Sequence, residues 1–188
     1  MDSEAVRWQC GVLKTQRLIV EPLLADHADE LVDLLDERVN RFFSPKDMPS
    51  SQAALREQFA EMERAANSRD VGSRFHPFVV RTAELQTCIG RLEVLVQDKD
   101  AEIAFVFVPS VWGKGYAREA AEAMIDHFRQ VGVKRFWACV TRDNTPSLAL
   151  CKRLGFALAE VPQDLELWAY DDGDVVLRRE IAVDPFQR

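Results

Sequence analysis

The chain has 188 residues, of which 47% are hydrophobic and 29% charged, and its formal net charge is −7. This length is enough for a full hydrophobic core, so we expect one domain over residues 1–188, with 1–11 as a loose lead-in. The negative charge argues against nonspecific nucleic-acid binding, and no apolar run approaches the roughly 20 residues of a membrane span. Composition therefore favours a globular protein that binds neither nucleic acid nor membrane.

The thiols and histidines predict no metal site and no disulfide. The four cysteines are far apart in sequence: Cys10, Cys88, Cys139 and Cys151. No two of them have the spacing of a metal knuckle or a redox pair, and the three histidines are equally scattered. The first residues are acidic and lack the pattern of a signal peptide, so we expect a cytoplasmic protein with reduced thiols.

The N-terminal part predicts a short strand followed by two helices. A strand is predicted over 17–22 and ends at Pro22. A helix is predicted over 26–38, with Asp26 as its cap. Residues 42–49 contain two prolines and are predicted to be irregular. A second helix is expected to begin after Ser50 or Ser51, with leucine, phenylalanine and methionine on its buried face.

The rest of the chain predicts strands first and then alternating helices and strands. Strands over 78–80, 88–96 and 102–108 are separated by hairpin loops. The elements that follow are a helix over 115–131, a strand over 135–141, a helix over 146–154, a strand from Phe156, and a hairpin of 165–170 with 174–182. This order predicts a mixed α/β fold, a twisted sheet of about seven strands flanked by about four helices.

The segment 108–117 carries the clearest functional signal. A strand ends there, a loop with Gly113 and Gly115 follows, and an amphipathic helix begins. The N-terminus of a helix offers unpaired N–H groups and positive dipole charge, and glycine lets an anion approach the main chain. The segment therefore predicts a phosphate-bearing ligand at 113–117.

Three segments together resemble the GNAT superfamily of acyl-CoA N-acyltransferases, and most closely its RimJ and RimL branch of ribosomal-protein N-terminal acetyltransferases. They are 17–22, Arg-Leu-Ile-Val-Glu-Pro; 101–120, with Ala-Glu-Ile-Ala-Phe at its start and Trp-Gly-Lys-Gly-Tyr-Ala-Arg-Glu-Ala at its end; and 144–156, with Asn-Thr-Pro-Ser at its start and Leu-Gly-Phe at its end. Two positions depart from the usual pattern. Glu21 stands where arginine is usual, and Trp112 stands where glutamine or arginine often begins the loop.

The resemblance implies a coenzyme A cleft between splayed parallel strands, here about 102–108 and 135–141. Acetyl-CoA would be the cosubstrate, with no metal. Main-chain groups of Phe107 and Val108 would pair with the pantetheine arm, and Asn144 would hydrogen-bond it. Ser147 and Lys152 would lie near the thiol end or the nucleotide end. The pyrophosphate would be held by Gly113, Lys114, Gly115, Tyr116 and Ala117.

The implied reaction is direct attack of an amine on the acetyl thioester. Glu93 and Glu102 are candidates for the base that removes the amine proton, with ordinary strand carboxylates as the alternative. The tyrosine that usually acts as acid in this family is replaced by Cys151. Either Cys151 or Ser147 is then the candidate proton donor to the leaving thiolate, unless Cys151 is a small core residue and Ser147 a surface hydroxyl.

The acceptor is open between a protein N-terminal amine and a small-molecule amine, and the protein is expected to be a monomer or a homodimer. Phe42, Phe43, Trp168 and Tyr170 are either packing residues or walls of the acceptor pocket. An acyl-CoA-binding pseudoenzyme with a sensing or structural role is the main alternative, favoured by the missing tyrosine. A dinucleotide-binding oxidoreductase is disfavoured because the loop lacks the third glycine of that motif.

Overall fold

The computed structural model describes residues 11–43, 48–68, 74–160 and 163–181, and the predicted lead-in at 1–11 lies almost wholly outside them. One mixed sheet contains eight strands in the order β1-β2-β3-β4-β5-β6-β8-β7. Their bounds are β1 Leu13–Lys14, β2 Leu18–Pro22, β3 Arg74–Thr82, β4 Cys88–Gln97, β5 Asp100–Phe107, β6 Arg135–Val140, β7 Ala157–Leu158 and β8 Val175–Glu180. The predicted mixed α/β fold is confirmed.

Four α-helices accompany the sheet in the described part: α1 Glu37–Asn40, α2 Gln52–Ala66, α3 Tyr116–Gln130 and α4 Thr145–Arg153. The helix α2 begins where the sequence predicted, because the Ser51 hydroxyl accepts the Ala54 N–H at 3.2 Å. Strand β4 carries Leu92 on the face that receives α3, where Phe78 and Phe128 form a ring pair. Its neighbour Arg91 points to the opposite face, over the Phe59 ring of α2. The two long helices therefore cover opposite faces of the sheet.

The predicted helix over 26–38 was wrong. The segment forms two 3₁₀ turns, Ala25–Asp29 and Val32–Leu35, and then the short helix α1. Asp36 has an extended backbone with ψ 133°, and its carboxylate accepts the Arg38 N–H at 2.8 Å. Asp36 thus starts a new helix and interrupts the earlier one, while the leucines of the segment still enter the core.

The predicted hairpin of 165–170 with 174–182 was also wrong in its first half. Residues 165–170 form no strand, and only Val175–Glu180 joins the sheet. Strand β8 pairs with β6 on one side and with β7 on the other, so the paired edges leave no place for another strand. The segment 165–170 therefore passes over the sheet as a loop.

Strands β5 and β6 are parallel and separate after three residue pairs. Their register joins Asp100 with Arg135, Ala101 with Phe136 and Glu102 with Trp137, and β5 continues to Phe107 without β6 beside it. The V-shaped gap that results opens toward the loop before α3. Within the described residues, no helix is long and apolar enough to cross a bilayer.

Candidate acyl-transfer site

A cavity of about 1000 Å³ fills the gap between β5 and β6 on the face covered by α2. Four of the predicted catalytic and coenzyme A-binding residues line it: Glu93, Asn144, Ser147 and Cys151. Ile103, Ala104, Phe105 and Val106 of β5 and Ala138, Cys139 and Val140 of β6 form its sides. The structure thus brings one candidate base and both candidate acids to a single cavity.

The main-chain N–H and C=O groups of β5 point alternately toward β4 and toward the gap, and this alternation decides which residues face the gap. Val108 donates its N–H to Ile89 of β4 at 3.0 Å, whereas Lys99 accepts N–H groups of Lys134 and Arg135 on the β6 side. Main-chain groups alternate between the two sides along a strand. The N–H and C=O of Phe105 and Phe107 therefore face the gap that β6 leaves open.

This alternation argues against one of the two predicted pantetheine contacts, that of Val108. Both main-chain groups of Val108 are already used, because its carbonyl also accepts the Val111 N–H at 3.2 Å. The Phe107 carbonyl accepts the indole N–H of Trp112 at 2.7 Å, which leaves its N–H toward the gap. Phe105 was missed in the sequence. The alternation along β5 would have identified it once one residue facing the gap was known.

The glycine loop has the geometry of an anion site. Gly113 and Gly115 have φ values of 75° and 81°, in the left-handed region that other residues avoid. Gly115 is the N-cap of α3 and provides no side-chain cap for the N–H groups of the first turn. A Cβ on Gly113 would meet no atom within 4 Å, so the space over the loop is open.

The start of α4 borders the cavity. The Asn144 side chain caps this helix by accepting the Ser147 N–H at 3.2 Å. Cys151 lies one turn after Ser147 and is buried, and burial raises the pKa of its thiol to about 11 despite an opposing hydrogen bond from Ser147. Cys151 is therefore a protonated thiol at neutral pH. Lys152 is exposed and lies outside the cavity lining.

The two candidate bases have different surroundings. Glu93 is buried, lines the cavity, and forms an ion pair with Arg91 of the same strand. Glu102 is also buried but does not line the cavity, and its two oxygens accept the main-chain N–H groups of Trp168 at 2.7 Å and Ala169 at 3.1 Å. Burial raises the pKa of Glu102 against these two hydrogen bonds. Glu102 thus ties the 165–170 loop to the base of the V.

We expect Glu102→Gln to loosen this loop. A glutamine keeps one oxygen for one N–H, but its amide group faces the other N–H as a second donor, so a buried hydrogen bond is lost. The free energy of unfolding should fall by about 1–3 kcal/mol. Hydrogen exchange measured by mass spectrometry should become faster in peptides covering 163–174 and stay unchanged in β3.

The control is Gln97→Ala, which removes an exposed hydrogen bond that the Gln97 side chain donates to the Glu166 carbonyl of the same loop at 2.9 Å, and it should have little effect. The pH dependence gives a second readout. Since the folded pKa of Glu102 is raised, the unfolded chain loses this proton first as pH rises above about 4.5. The stability advantage of the wild type over Glu102→Gln should be largest at acid pH and shrink as pH rises. Equal exchange in both proteins would contradict this role for Glu102.

The walls of the cavity carry aromatic and charged side chains. Phe42, Phe43, Trp168 and Tyr170 are among its walls, and the Trp168 ring packs edge-on against Phe75 with centroids 5.7 Å apart. Six carboxylates and two guanidinium groups line the cavity: Glu57, Glu61, Glu93, Asp171, Asp172, Asp174, Arg41 and Arg91. In the described part of the chain, no group of three or more His, Cys, Asp or Glu side chains has the geometry of a metal site.

Known proteins share this architecture. The family described as acetyltransferase (GNAT) domain matches residues 17–157. An uncharacterized N-acetyltransferase p20 of Bacillus licheniformis is 27% identical over 156 residues, covering 82% of this chain and 86% of that protein.

Two solved structures have the same fold. RimJ of Mycobacterium smegmatis, in complex with CoA-disulfide, has a TM-score of 0.73 at 19% identity, covering 92% of this chain and 88% of that one. An acetyltransferase of Salmonella typhimurium that modifies the N-terminal serine of the 50S subunit protein L7/L12 has a TM-score of 0.71 at 20% identity, with coverages of 89% and 97%. These folds agree with the RimJ and RimL resemblance of the sequence. With three quarters of its length matched by the family, the chain belongs to the GNAT acetyltransferases.

Proposed function

We propose that this protein is an acetyl-CoA-dependent N-acetyltransferase that transfers the acetyl group to a primary amine, either a protein N-terminal amine or that of a small molecule. The observation that carries the proposal is the gap between β5 and β6, where main-chain groups of β5 have no strand partner and the loop after β5 leads to a helix N-terminus without a side-chain cap. A linear ligand with amides at one end and phosphates at the other fits both features. One continuous sheet, from Leu13 to Glu180, supports a single domain.

The donor would lie along β5. Its pantetheine amides would pair with the main-chain groups of Phe105 and Phe107 as an added strand does. The pyrophosphate would receive N–H groups from residues 113–117. Asn144 already caps α4 with its oxygen, so only its amide N–H groups remain for the ligand. The RimJ structure with CoA-disulfide supports this class of donor.

In the reaction the amine nitrogen forms a bond to the thioester carbon, the C–S bond breaks, and the thiolate takes up a proton. An α-amine with a pKa of about 7.8 is roughly one-tenth neutral at pH 7, whereas a lysine at about 10.4 is neutral in about one molecule in a few thousand. An N–H of β5 facing the gap would stabilise the negative charge on the carbonyl oxygen. Bond formation and proton removal can then occur without a covalent enzyme intermediate.

We assign proton removal to Glu93, directly or through one water. Of the two candidate carboxylates, only Glu93 lines the cavity, and its ion pair with Arg91 fixes the position of its carboxylate. Glu102 does not line the cavity, and its two oxygens already accept the main-chain N–H groups of Trp168 and Ala169. Glu102 is therefore assigned to holding the loop.

We assign to Ser147 the hydrogen bond that stabilises the leaving thiolate, with Cys151 as its hydrogen-bonded neighbour, while the proton that the thiolate takes up is the one the amine nitrogen releases, carried by Glu93 or water. The Cys151 thiol has a pKa of about 11 and is therefore a weaker acid than an ordinary thiol, whose pKa is about 8.5. Direct transfer from Cys151 is therefore uphill. The Ser147 hydroxyl lines the same cavity and can donate a hydrogen bond without full ionisation.

The charges of the lining favour a cationic acceptor. Carboxylates outnumber guanidinium groups there, and they come from α2, from β4 and from the turn at 171–174. Such a surface attracts an ammonium ion and disfavours an anionic substrate. This supports an amine as the acceptor and is consistent with the net charge of −7.

The test is a thiol-release assay with acetyl-CoA and a panel of amines, combined with calorimetry of coenzyme A binding. Turnover with any N-terminal peptide or small amine supports the proposal. Tight coenzyme A binding with no turnover on the panel would favour the non-catalytic acyl-CoA-binding alternative. Absence of coenzyme A binding would contradict both.

We expect Glu93→Gln to lower kcat/KM by about a hundredfold near neutral pH, the size of effect that one general base contributes. The loss should become smaller as pH approaches the pKa of the acceptor, because an amine that is already neutral needs no base. The affinity for coenzyme A should not change. A loss that is the same at every pH would remove Glu93 from this role, even if the variant is less active.

A further inference from the structure

The residues just before β2 contact the glycine loop and the first turn of α3. Arg17 donates from Nη1 to the Lys114 carbonyl at 3.0 Å, and its guanidinium lies 4.5 Å from the centroid of the Tyr116 ring. A Cβ on Gly115 would lie 3.5 Å from Nη2 of the same group. One arginine therefore contacts Lys114 and Tyr116 and borders the space beside Gly115 in the loop that would hold the pyrophosphate.

The same segment neutralises an acidic side chain. Glu119 lies in the first turn of α3, where its charge would repel a phosphate bound at the helix N-terminus. It accepts the Thr15 hydroxyl at 2.6 Å, the Arg17 N–H at 2.9 Å and Arg17 Nε at 2.6 Å. Burial alone would raise the pKa of Glu119, but these hydrogen bonds outweigh it and hold the pKa below its ordinary value. Glu119 is thus ionised, and its charge is directed at Arg17.

The loop has few other restraints. Two of its residues are glycines in the left-handed region, and Lys114 donates its N–H to Val111 at a long 3.4 Å. Glycine loses more backbone freedom on ordering than other residues, so a glycine loop gains most from an external contact that holds it. Arg17 joins this loop to β2, the strand that begins one residue later.

We propose that Arg17 is a positioning residue for coenzyme A: through Lys114 and Glu119 it holds the 113–117 loop in its anion-binding shape and cancels the charge that would oppose the pyrophosphate. The inference rests on the proposed function, since it needs coenzyme A at this loop. Thr15 and Glu119 complete the arrangement, which we name the Arg17 clamp. It acts on donor binding and leaves the acceptor end of the cavity unaffected.

The test measures coenzyme A affinity by calorimetry in the full chain. Arg17→Ala should raise the Kd about tenfold, the value of one charge-assisted hydrogen bond. Arg17→Lys should lie between this variant and the wild type, because lysine keeps the charge but lacks the fork that reaches both partners. In kinetics, KM for acetyl-CoA should rise while KM for the amine stays constant.

A double mutant separates positioning from loss of structure. If the charge of Glu119 matters, Arg17→Ala combined with Glu119→Gln should bind coenzyme A about threefold more tightly than Arg17→Ala alone. The control is Arg129→Ala at the other end of α3, where an equally exposed arginine pairs with Asp126 at 3.5 Å and should leave the Kd unchanged.

The outcomes are distinct. An Arg17→Ala protein with wild-type affinity overturns the inference, and so does a double mutant no tighter than the single one. If Arg17→Ala does not fold, Arg17→Lys and its combination with Glu119→Gln decide the question in the same way. A wild type that does not bind coenzyme A would instead refute the proposed function.

Discussion

Replacing Gly115 by aspartate should weaken coenzyme A binding by about a hundredfold or more, because a charge within about 4 Å of a phosphate at moderate dielectric costs several kcal/mol. The site is the N-cap of α3, and its φ of 81° is one that aspartate tolerates better than most residues. A Cβ there meets only the end of Arg17 at 3.5 Å, so the fold should persist. Calorimetry with coenzyme A measures the loss.

Two further variants isolate the cause of this loss. Gly115→Asn has nearly the same shape without the charge and should lose much less affinity. Gly132→Asp puts the same residue at a φ of 111° in open space beyond the other end of α3, and should bind coenzyme A normally. Wild-type affinity in Gly115→Asp would show that the pyrophosphate does not bind at this loop.

Replacing Gly90 by alanine should lower both the free energy of unfolding and the affinity for coenzyme A. Gly90 of β4 lies opposite Phe107 of β5, and a Cβ would come within 2.5 Å of the Val106 carbonyl and 2.7 Å of the Phe107 ring. Main-chain atoms in a sheet can move apart only with strain. We therefore expect the free energy of unfolding to fall by about 1–3 kcal/mol, typical of overpacking. Urea denaturation measures it.

The same variant should bind coenzyme A more weakly, since β5 must shift where its main chain faces the gap. Gly11→Ala is the matched control: a Cβ there meets nothing within 4 Å, and its stability and affinity should remain those of the wild type. A Gly90→Ala protein as stable as the wild type would mean that β4 and β5 are farther apart than described here.

The parts of the fold that sequence reasoning predicted are those set by local chemistry. Ser51 caps α2 because its side chain reaches an N–H three residues on, a relation visible in the sequence. Gly113 and Gly115 indicated an anion site through their own backbone freedom. The same kind of reasoning failed over 26–38, where Asp36 was counted as a helical residue although its carboxylate starts a new helix.

The parts that could not be predicted depend on contacts between distant segments. The different roles of Glu93 and Glu102 could not be predicted, because Glu102 accepts N–H groups of the 165–170 loop. These groups lie more than 60 residues away from Glu102 in sequence. Whether Phe105 or Val108 faces the gap depends on the register between β4 and β5. The sequence singled out Arg17 only as part of a family motif, and its contact with Glu119 spans 102 residues.

The early separation of β5 from β6 has an energetic consequence. A strand with one side unpaired is an edge, and here the edge lies in the middle of a sheet, next to a second strand that diverges from it. Edges are usually protected by charge, proline or a covering segment. Here a bound molecule that pairs with Phe105 and Phe107 would complete the sheet. Ligand occupancy would then add to folding stability by mass action, and the empty protein would be the form with an open edge that another extended chain can occupy.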